Sequence, residues 1–212
     1  MDRKTIVISI NASWNIYNFR RELIAALQNR GFRVVALAPE DDYSERLRQL
    51  GVEVHPLRID SQGMSPLHDL LLLARYRSAL RRIRPDLLLG YTIKPNVYGS
   101  LAARSLGIPV INNVSGLGTA FIRGGALARI ATALYRLAFR GSSTVFFQNR
   151  DDRALFLDKR IVAPERAKLL PGSGIDLDRF RPTDAPRAAG GFDFLFVGRL
   201  LWDKGVREFV DA

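Results

Sequence analysis

The sequence predicts an α/β fold, a parallel sheet covered by helices on both faces. Three observations predict it. Short apolar runs alternate with segments of helical period along nearly the whole chain. Most of the runs are continuous rather than alternating, as strands buried on both faces require. Glycine or proline punctuates most of the junctions between them.

The elements follow in order. "TIVISI" (5–10) is a β-branched, uninterrupted strand. "NASWNIYN" is a polar and aromatic loop. Phe19, Leu23, Ala26 and Leu27 then recur at helical spacing until Gly31. "RVVALAP" (33–39) is the second strand, "YSERLRQLG" a short helix, and "VEVHPLRI" (52–59) a third strand. Ser65-Pro66 opens a helix that runs to about Arg84, before Pro85. "DLLLGYT" (86–92) is a strand, Val97–Leu106 a helix, "IPVINNV" a strand, and 125–140 a long amphipathic helix. "STVFFQN" (143–149) is a strand and Asp151–Leu157 a helix opened by its acidic residue. "AKLLPGSGID" gives a short strand and a glycine-rich turn. The Pro, Ala and Gly of "RPTDAPRAAGG" (181–191) mark a linker. Beyond it "FDFLFVG" reads as one more strand, followed by a turn and the start of a helix.

Bulk composition narrows the partners. The chain has 212 residues, enough to bury a substantial core, and a net charge of +11 from 32 Lys+Arg against 21 Asp+Glu. Such a balance suits phosphorylated ligands, anionic lipid or nucleic acid; it also follows from mere compositional bias. Cysteine is absent, so no disulfide framework or thiolate chemistry is available. The longest apolar run, "LLLLA" at 70–74, falls far short of the roughly 18 residues of a spanning helix. The N-terminus shows no leader pattern, and the expected location is cytoplasmic.

Ligands on a parallel sheet sit beyond the carboxyl ends of its strands. The loops at 11–18, 92–96, 112–121, 149–151, 172–176 and 198–204 are therefore the ones to read. The first offers Asn11, Ser13, Asn15 and Asn18. They suit a hydroxyl-rich or phosphate ligand beside a helix N-terminus, or Ser13 or Asn15 simply caps that helix. Lys94 meets an anionic ligand or is a solvated loop lysine. In "NNVSGLGTAF", Asn113, Ser115, Gly116, Gly118 and Thr119 form a loop able to bring backbone close to a ligand. Arg129, Arg136 and Arg140, spaced by seven and four, share one helix face. That face rests on an anionic membrane, each arginine contributing about 1 kcal/mol, or is ordinary solvated surface. The helix at 67–84 adds Arg75, Arg77, Arg81, Arg82 and Arg84.

Several chemistries lack support. Neither His55 nor His68 falls in a strand-end loop, which argues against a Ser-His-Asp triad or a histidine zinc site. Neither GxGxxG nor GxxxxGK[ST] occurs. No basic stripe is interleaved with stacking aromatics, so nucleic acid is not an expected partner.

"FLFVGRLLWDKGV" resembles the phosphate-binding turn of retaining glycosyltransferases with two Rossmann-like domains, the GT-B fold, family 4. "PGSGIDLDRF" (171–180) resembles the segment that family carries just before its second domain. "GYTIKPNVYGSLAARSLGIPVINNVSGLGTAFI" resembles a bacterial branch that builds capsule, O-antigen or protein-linked glycans on undecaprenyl diphosphate. The likeness runs from residue 5 to 212.

The resemblance implies a Rossmann-like acceptor-binding domain over 1–180, the linker at 181–191, and the first strand, turn and helix of a truncated donor-binding domain over 192–212. It implies transfer of a sugar, from a UDP-linked hexosamine, with retention, onto a lipid-diphosphate saccharide at the inner face of the plasma membrane. Gly198, Arg199 and Lys204 would meet the donor diphosphate and stabilise the leaving group, with no metal required. Many relatives carry a histidine in the loop matching 112–119. Asn113 and Ser115 stand there here, so no histidine role carries over. The family's E-x7-E motif lies beyond Ala212, so catalytic residues are not assigned and the chain alone is expected to be inactive. The alternatives are a non-catalytic acceptor- or membrane-binding fragment, and a sugar-nucleotide epimerase on the same two-domain architecture.

Overall fold

The computed structural model describes residues 3–60, 65–116, 125–170, 172–182, 194–198, 200 and 202–212. The chain divides into two compact units, 1–175 and 176–212.

The first unit is built on seven strands: β1 (Thr5–Ser9), β2 (Arg33–Ala38), β3 (Glu53–Pro56), β4 (Leu87–Tyr91), β5 (Val110–Val114), β6 (Thr144–Phe147) and β7 (Ala167–Leu169). Their spatial order is β3-β2-β1-β4-β5-β6-β7, and every ladder is parallel. The chain first winds outward through β2 and β3. It then returns to the other side of β1 and winds outward again. The reversal falls between β1 and β4, whose register sets Ser9 beside Gly90. Every residue of β1 is buried, as its unbroken apolar run requires.

Among the described residues six α-helices connect the strands: α1 (Ser13–Asn29), α2 (Ser44–Gln49), α3 (Pro66–Ile83), α4 (Ser100–Arg104), α5 (Gly125–Phe139) and α6 (Arg150–Asp158). The α1–α2 side of the sheet buries Ile6, Ile8, Ile10, Ile16, Ile24, Leu47, Leu89 and Tyr91. The opposite side packs Val7, Leu37, Leu88 and Val110 against Leu72, Tyr76 and Leu80 of α3 and Ala102 and Ala103 of α4. Further along, Tyr135, Phe139, Phe147 and Phe156 meet at centroid distances of 5.2–6.1 Å. Fully burying one such ring stabilises the fold by about 1.5–3 kcal/mol.

Some expectations are corrected. Phe19 is not on the core stripe of α1. It is 47% exposed and sets its edge on Trp14, because the buried line runs through Ile16 and Ile24 instead. The helix expected over Val97–Leu106 opens earlier, with a π-helical turn over Pro95–Gly99. α6 is opened by Asn149, not Asp151; the Asn149 Oδ1 accepts from Asp152 N at 2.7 Å. β3 is only Glu53–Pro56 long, an edge strand with its two end residues exposed.

In the second unit, residues 194–198 form no strand. Phe194 and Val197 are exposed, as expected of apolar residues with no sheet to join, and so is Leu195; Phe196, expected to be exposed too, is half-buried with its ring 5.5 Å from that of Phe209. A 3₁₀ turn (Trp202–Lys204) and Gly205, at φ +73°, lead into α7 (Val206–Asp211). Most of the expected linker, and Arg199, lie outside the described residues.

Candidate functional site

The reversal of winding leaves the loops after β1 and β4 diverging to opposite sides, which opens a crevice at the carboxyl end of the sheet. A cavity of about 250 Å3 lies there, lined by Asn11, Ile59, Thr92, Ile93, Lys94, Ser115 and Gly116. Four separate strand-end segments supply these residues, and neither a carboxylate nor a histidine is among them.

Local structure fixes this lining. Asn11 Oδ1 accepts from Asn15 Nδ2 at 3.0 Å, one helical turn on. Thr92 follows the last residue of β4 at φ +61°, a left-handed conformation uncommon for a β-branched residue. Strain of this kind amounts to about 1–3 kcal/mol and gathers at functional sites. Lys94 is the cation of the cavity. Its Nζ stands 3.1 Å from Asp69 Oδ1 of α3, and both side chains are 15% exposed. That oxygen is nevertheless without a well-aligned hydrogen bond, so the contact is ionic attraction rather than a formed bond. Burial, and then the same carboxylate of Asp69, push the Tyr98 phenol well above its ordinary value.

A buried amide cluster braces the loops from below. Asn96 Nδ2 donates to Asn113 O at 2.9 Å, and Asn112 Nδ2 donates to Asn96 Oδ1 and to Ser100 Oγ, each at 2.9 Å. Ser142 Oγ donates to Asn112 Oδ1 at 2.6 Å. These bonds tie β5 to the π-helical turn, so the backbone entering Ser115 and Gly116 is fixed.

The other expected site residues have different places. Ser13 is fully buried and donates to Pro39 O at 2.8 Å, so it fastens α1 to β2 rather than facing a ligand. Neither it nor Asn15 caps α1. Trp14 N is instead held by Asp41 Oδ2 at 3.0 Å, from the loop after β2. Asn18 donates to Trp14 O along its own helix. Asn113 is buried beneath the cavity. Gly118, Thr119 and Arg199 lie outside the described residues. Gly198 and Lys204 are exposed in the second unit.

Arg129 and Arg136 are exposed on α5, and Arg140 is exposed just beyond its end. Arg136 and Arg140 line a larger groove of about 840 Å3, together with Arg160 and Arg166. Two of these arginines are engaged by backbone carbonyls. Arg136 donates to Lys159 O at 2.6 Å and Arg160 O at 3.2 Å, at the end of α6. Arg166 donates to Arg140 O and Ser142 O. This groove is the bigger of the two, but it follows the C-terminal ends of α5 and α6, not the ends of the strands. Its arginines complement helix dipoles.

Sequence reasoning missed Ile59, Thr92, Ile93 and Asp69 around the cavity. It also missed Arg20. Ile16, Arg20 and Ile24 are spaced i, i+4, i+8, so this arginine sits on the core stripe of α1, between two fully buried isoleucines. Its guanidinium lies 4.2 Å from the Tyr91 ring centre. Burial lowers its pKa, with Tyr91 acting the other way. A charge on an apolar helical stripe was the available signal.

The chain has relatives of known family and fold. Residues 18–172 match the model of the glycosyl transferase 4-like domain. An N,N'-diacetylbacillosaminyl-diphospho-undecaprenol alpha-1,3-N-acetylgalactosaminyltransferase of Campylobacter jejuni is 27% identical over 218 residues, covering 95% of this chain and 58% of the relative. A Rickettsia africae glycosyltransferase is similar in structure with a TM-score of 0.63 at 13% identity, over 88% of this chain and 47% of the other. Anabaena HepE, in complex with UDP-glucose, gives 0.60 at 16%, over 85% and 46%. A UDP-N-acetylglucosamine 2-epimerase gives 0.55 at 12%, over 78% and 47%. At such identities these structures show the shared fold alone, and the chain spans about half the length of each. The doubly wound parallel sheet, the crevice at its switch point and the match over most of the first unit establish that the chain belongs to the glycosyl transferase 4-like domain family.

Proposed function

We propose that this chain is the acceptor-side part of a glycosyltransferase that moves a sugar from a nucleotide donor onto a lipid-diphosphate-linked saccharide. The observation that carries the reading is the switch-point cavity, where Lys94 stands among hydroxyl and amide groups and an exposed backbone segment. That set suits an oxyanion beside sugar hydroxyls. The Campylobacter relative, by name a transferase to a diphospho-undecaprenol saccharide, supports the acceptor class.

The finer reading is a UDP-linked hexosamine donor, transfer with retention, and no metal. Gly198, Arg199 and Lys204 would receive the donor diphosphate, as their resemblance to the family's phosphate turn implies. The net charge of +11 and the exposed Arg129 and Arg140 favour work at the inner, anionic face of a membrane. Among the described residues no helix is long and apolar enough to cross one.

The test is turnover. The protein extended by a donor-binding domain is expected to transfer sugar from a UDP-hexosamine to a prenyl-diphosphate saccharide. Residues 1–212 alone are expected to transfer none, because the reaction needs groups from both sides of the cleft. Absence of transfer by the extended protein with every nucleotide sugar tried would overturn the reading.

A further inference from the structure

Arg20 has an environment that its present contacts do not explain. Its Nε is buried and without a hydrogen-bond partner. Among the described residues its side chain makes one hydrogen bond, from Nη1 to the carbonyl of its neighbour Phe19, at 3.1 Å. Among the described residues no carboxylate pairs with it. An arginine on a core stripe without a counter-charge is expensive to desolvate, and such groups are normally paired or bound.

A second orphan lies close by. Asn113 is 5% exposed, and its Oδ1 has no hydrogen-bond partner. Asn113 is the register partner of Tyr91, the ring over which Arg20 lies. Side chains alternate along a strand. Asn112 turns to Ser100 on the α4 side, so Asn113 turns to the α1 side, where Tyr91 is also buried. Tyr91 is thus flanked by an unpaired cation and an unpartnered amide, immediately before the strained Thr92 of the cavity lining.

The geometry points to a phosphoryl-binding subsite made by Arg20 and Asn113 across the Tyr91 ring, on the α1 side of the β4–β5 strand ends. The guanidinium supplies the charge and a planar pair of donors, for which a phosphoryl group is the best-matched ligand. Asn113 Oδ1, an acceptor, takes a hydrogen bond from a hydroxyl carried beside the phosphoryl group. Lys94 reaches the cleft from the α3 side of the sheet, through Asp69, so the two cations are separately held. The subsite goes beyond the proposed transferase role and requires no particular sugar.

Calorimetric titration of the 212-residue chain with inorganic pyrophosphate, at low and moderate salt, tests it. The wild type is expected to bind. Arg20→Met fills the core stripe with an apolar side chain, keeps the fold, and should weaken binding roughly 10- to 100-fold, the range of one charge-assisted interaction. Arg20→Lys keeps the charge but not the fork and should fall between them. Asn113→Asp sets a carboxylate beside the guanidinium; it should raise the melting temperature and lower pyrophosphate affinity together, whereas a purely structural Arg20 would change the first alone.

Parallel titrations with UDP and farnesyl diphosphate separate the two sources of the group. The one whose affinity falls in Arg20→Met supplies it. No binding of any of the three probes by the wild type, or unchanged affinity in both Arg20→Met and Asn113→Asp, would overturn the proposal. Failure of sugar transfer by the extended protein would leave a positive titration standing, and the reverse holds too.

Discussion

Gly90 shows how a single position can be dictated by its neighbours. A Cβ there would come within 2.9 Å of Asn96 Oδ1 and 3.0 Å of Asn112 Nδ2, inside the amide cluster that braces the cleft. Those amides already hold Ser100 and Ser142, so they cannot retreat without leaving buried polar groups unpaired. Gly90→Ala is expected to destabilise the chain by about 2 kcal/mol. Its melting temperature should fall by roughly 4–8 °C, read by circular dichroism. An unchanged melt would mean the cluster is looser than its hydrogen bonds imply. The sequence "GYTIKPN" showed a glycine at a strand end. It did not show that two asparagines, one of them on another strand, close on it.

At the scale of elements, β3 is the edge strand and relies on side chains more than on burial. Glu53 accepts from Arg33 of β2, with Nε at 3.0 Å, and meets His55 Nε2 at 2.6 Å. Arg33 first, and His55 second, hold the Glu53 carboxyl below its ordinary value. The sign follows from that depression. Stabilisation is complete above the unfolded glutamate value of about 4.3 and disappears as pH falls through the lower folded value. Both partners are 43% exposed, so solvent screening limits the pair to about 0.2–1 kcal/mol. Glu53→Gln should therefore melt lower than wild type at pH 7, by at most about 2–4 °C, and the difference should shrink as pH falls below the unfolded value and vanish once the folded carboxylate is protonated. A gap that persisted in acid would assign the effect to packing.

At the scale of the whole molecule, the seven strands and three hydrophobic clusters found among the described residues lie within 1–175. The described residues of 176–212 include no strand. Truncation after Ile175 is expected to leave a single cooperative thermal transition at essentially the same temperature. It should also remove the exposed Phe194, Leu195 and Val197, and so increase solubility. Loss of cooperative unfolding in 1–175 would show that residues 176–212 contribute to the core. The truncated chain keeps the cavity and the Arg20–Asn113 pair, so phosphoryl binding should survive as well.

The sequence alone determined the fold class, the strands of the sheet and the family. Period and punctuation are local properties, and a strand buried on both faces announces itself in a run as plain as "TIVISI". It also placed Asn11, Lys94, Ser115 and Gly116 in strand-end loops, since the ligand side of a parallel sheet follows from chain direction. Only the tertiary structure decided which of those residues converge. Strand order brings the ends of β1, β4 and β5 together, and that order is not written in any one segment. Ser13 was withdrawn from the cleft by Pro39, and Arg136 of the basic helix face was engaged by the carbonyls at the end of α6. Arg20 came to notice only because packing left its Nε buried and without a hydrogen bond, and the orphaned Oδ1 of Asn113, a residue the sequence did single out, was equally invisible there. A hydrogen bond that has not been made is a property of three-dimensional neighbours, and the linear chain holds no record of it.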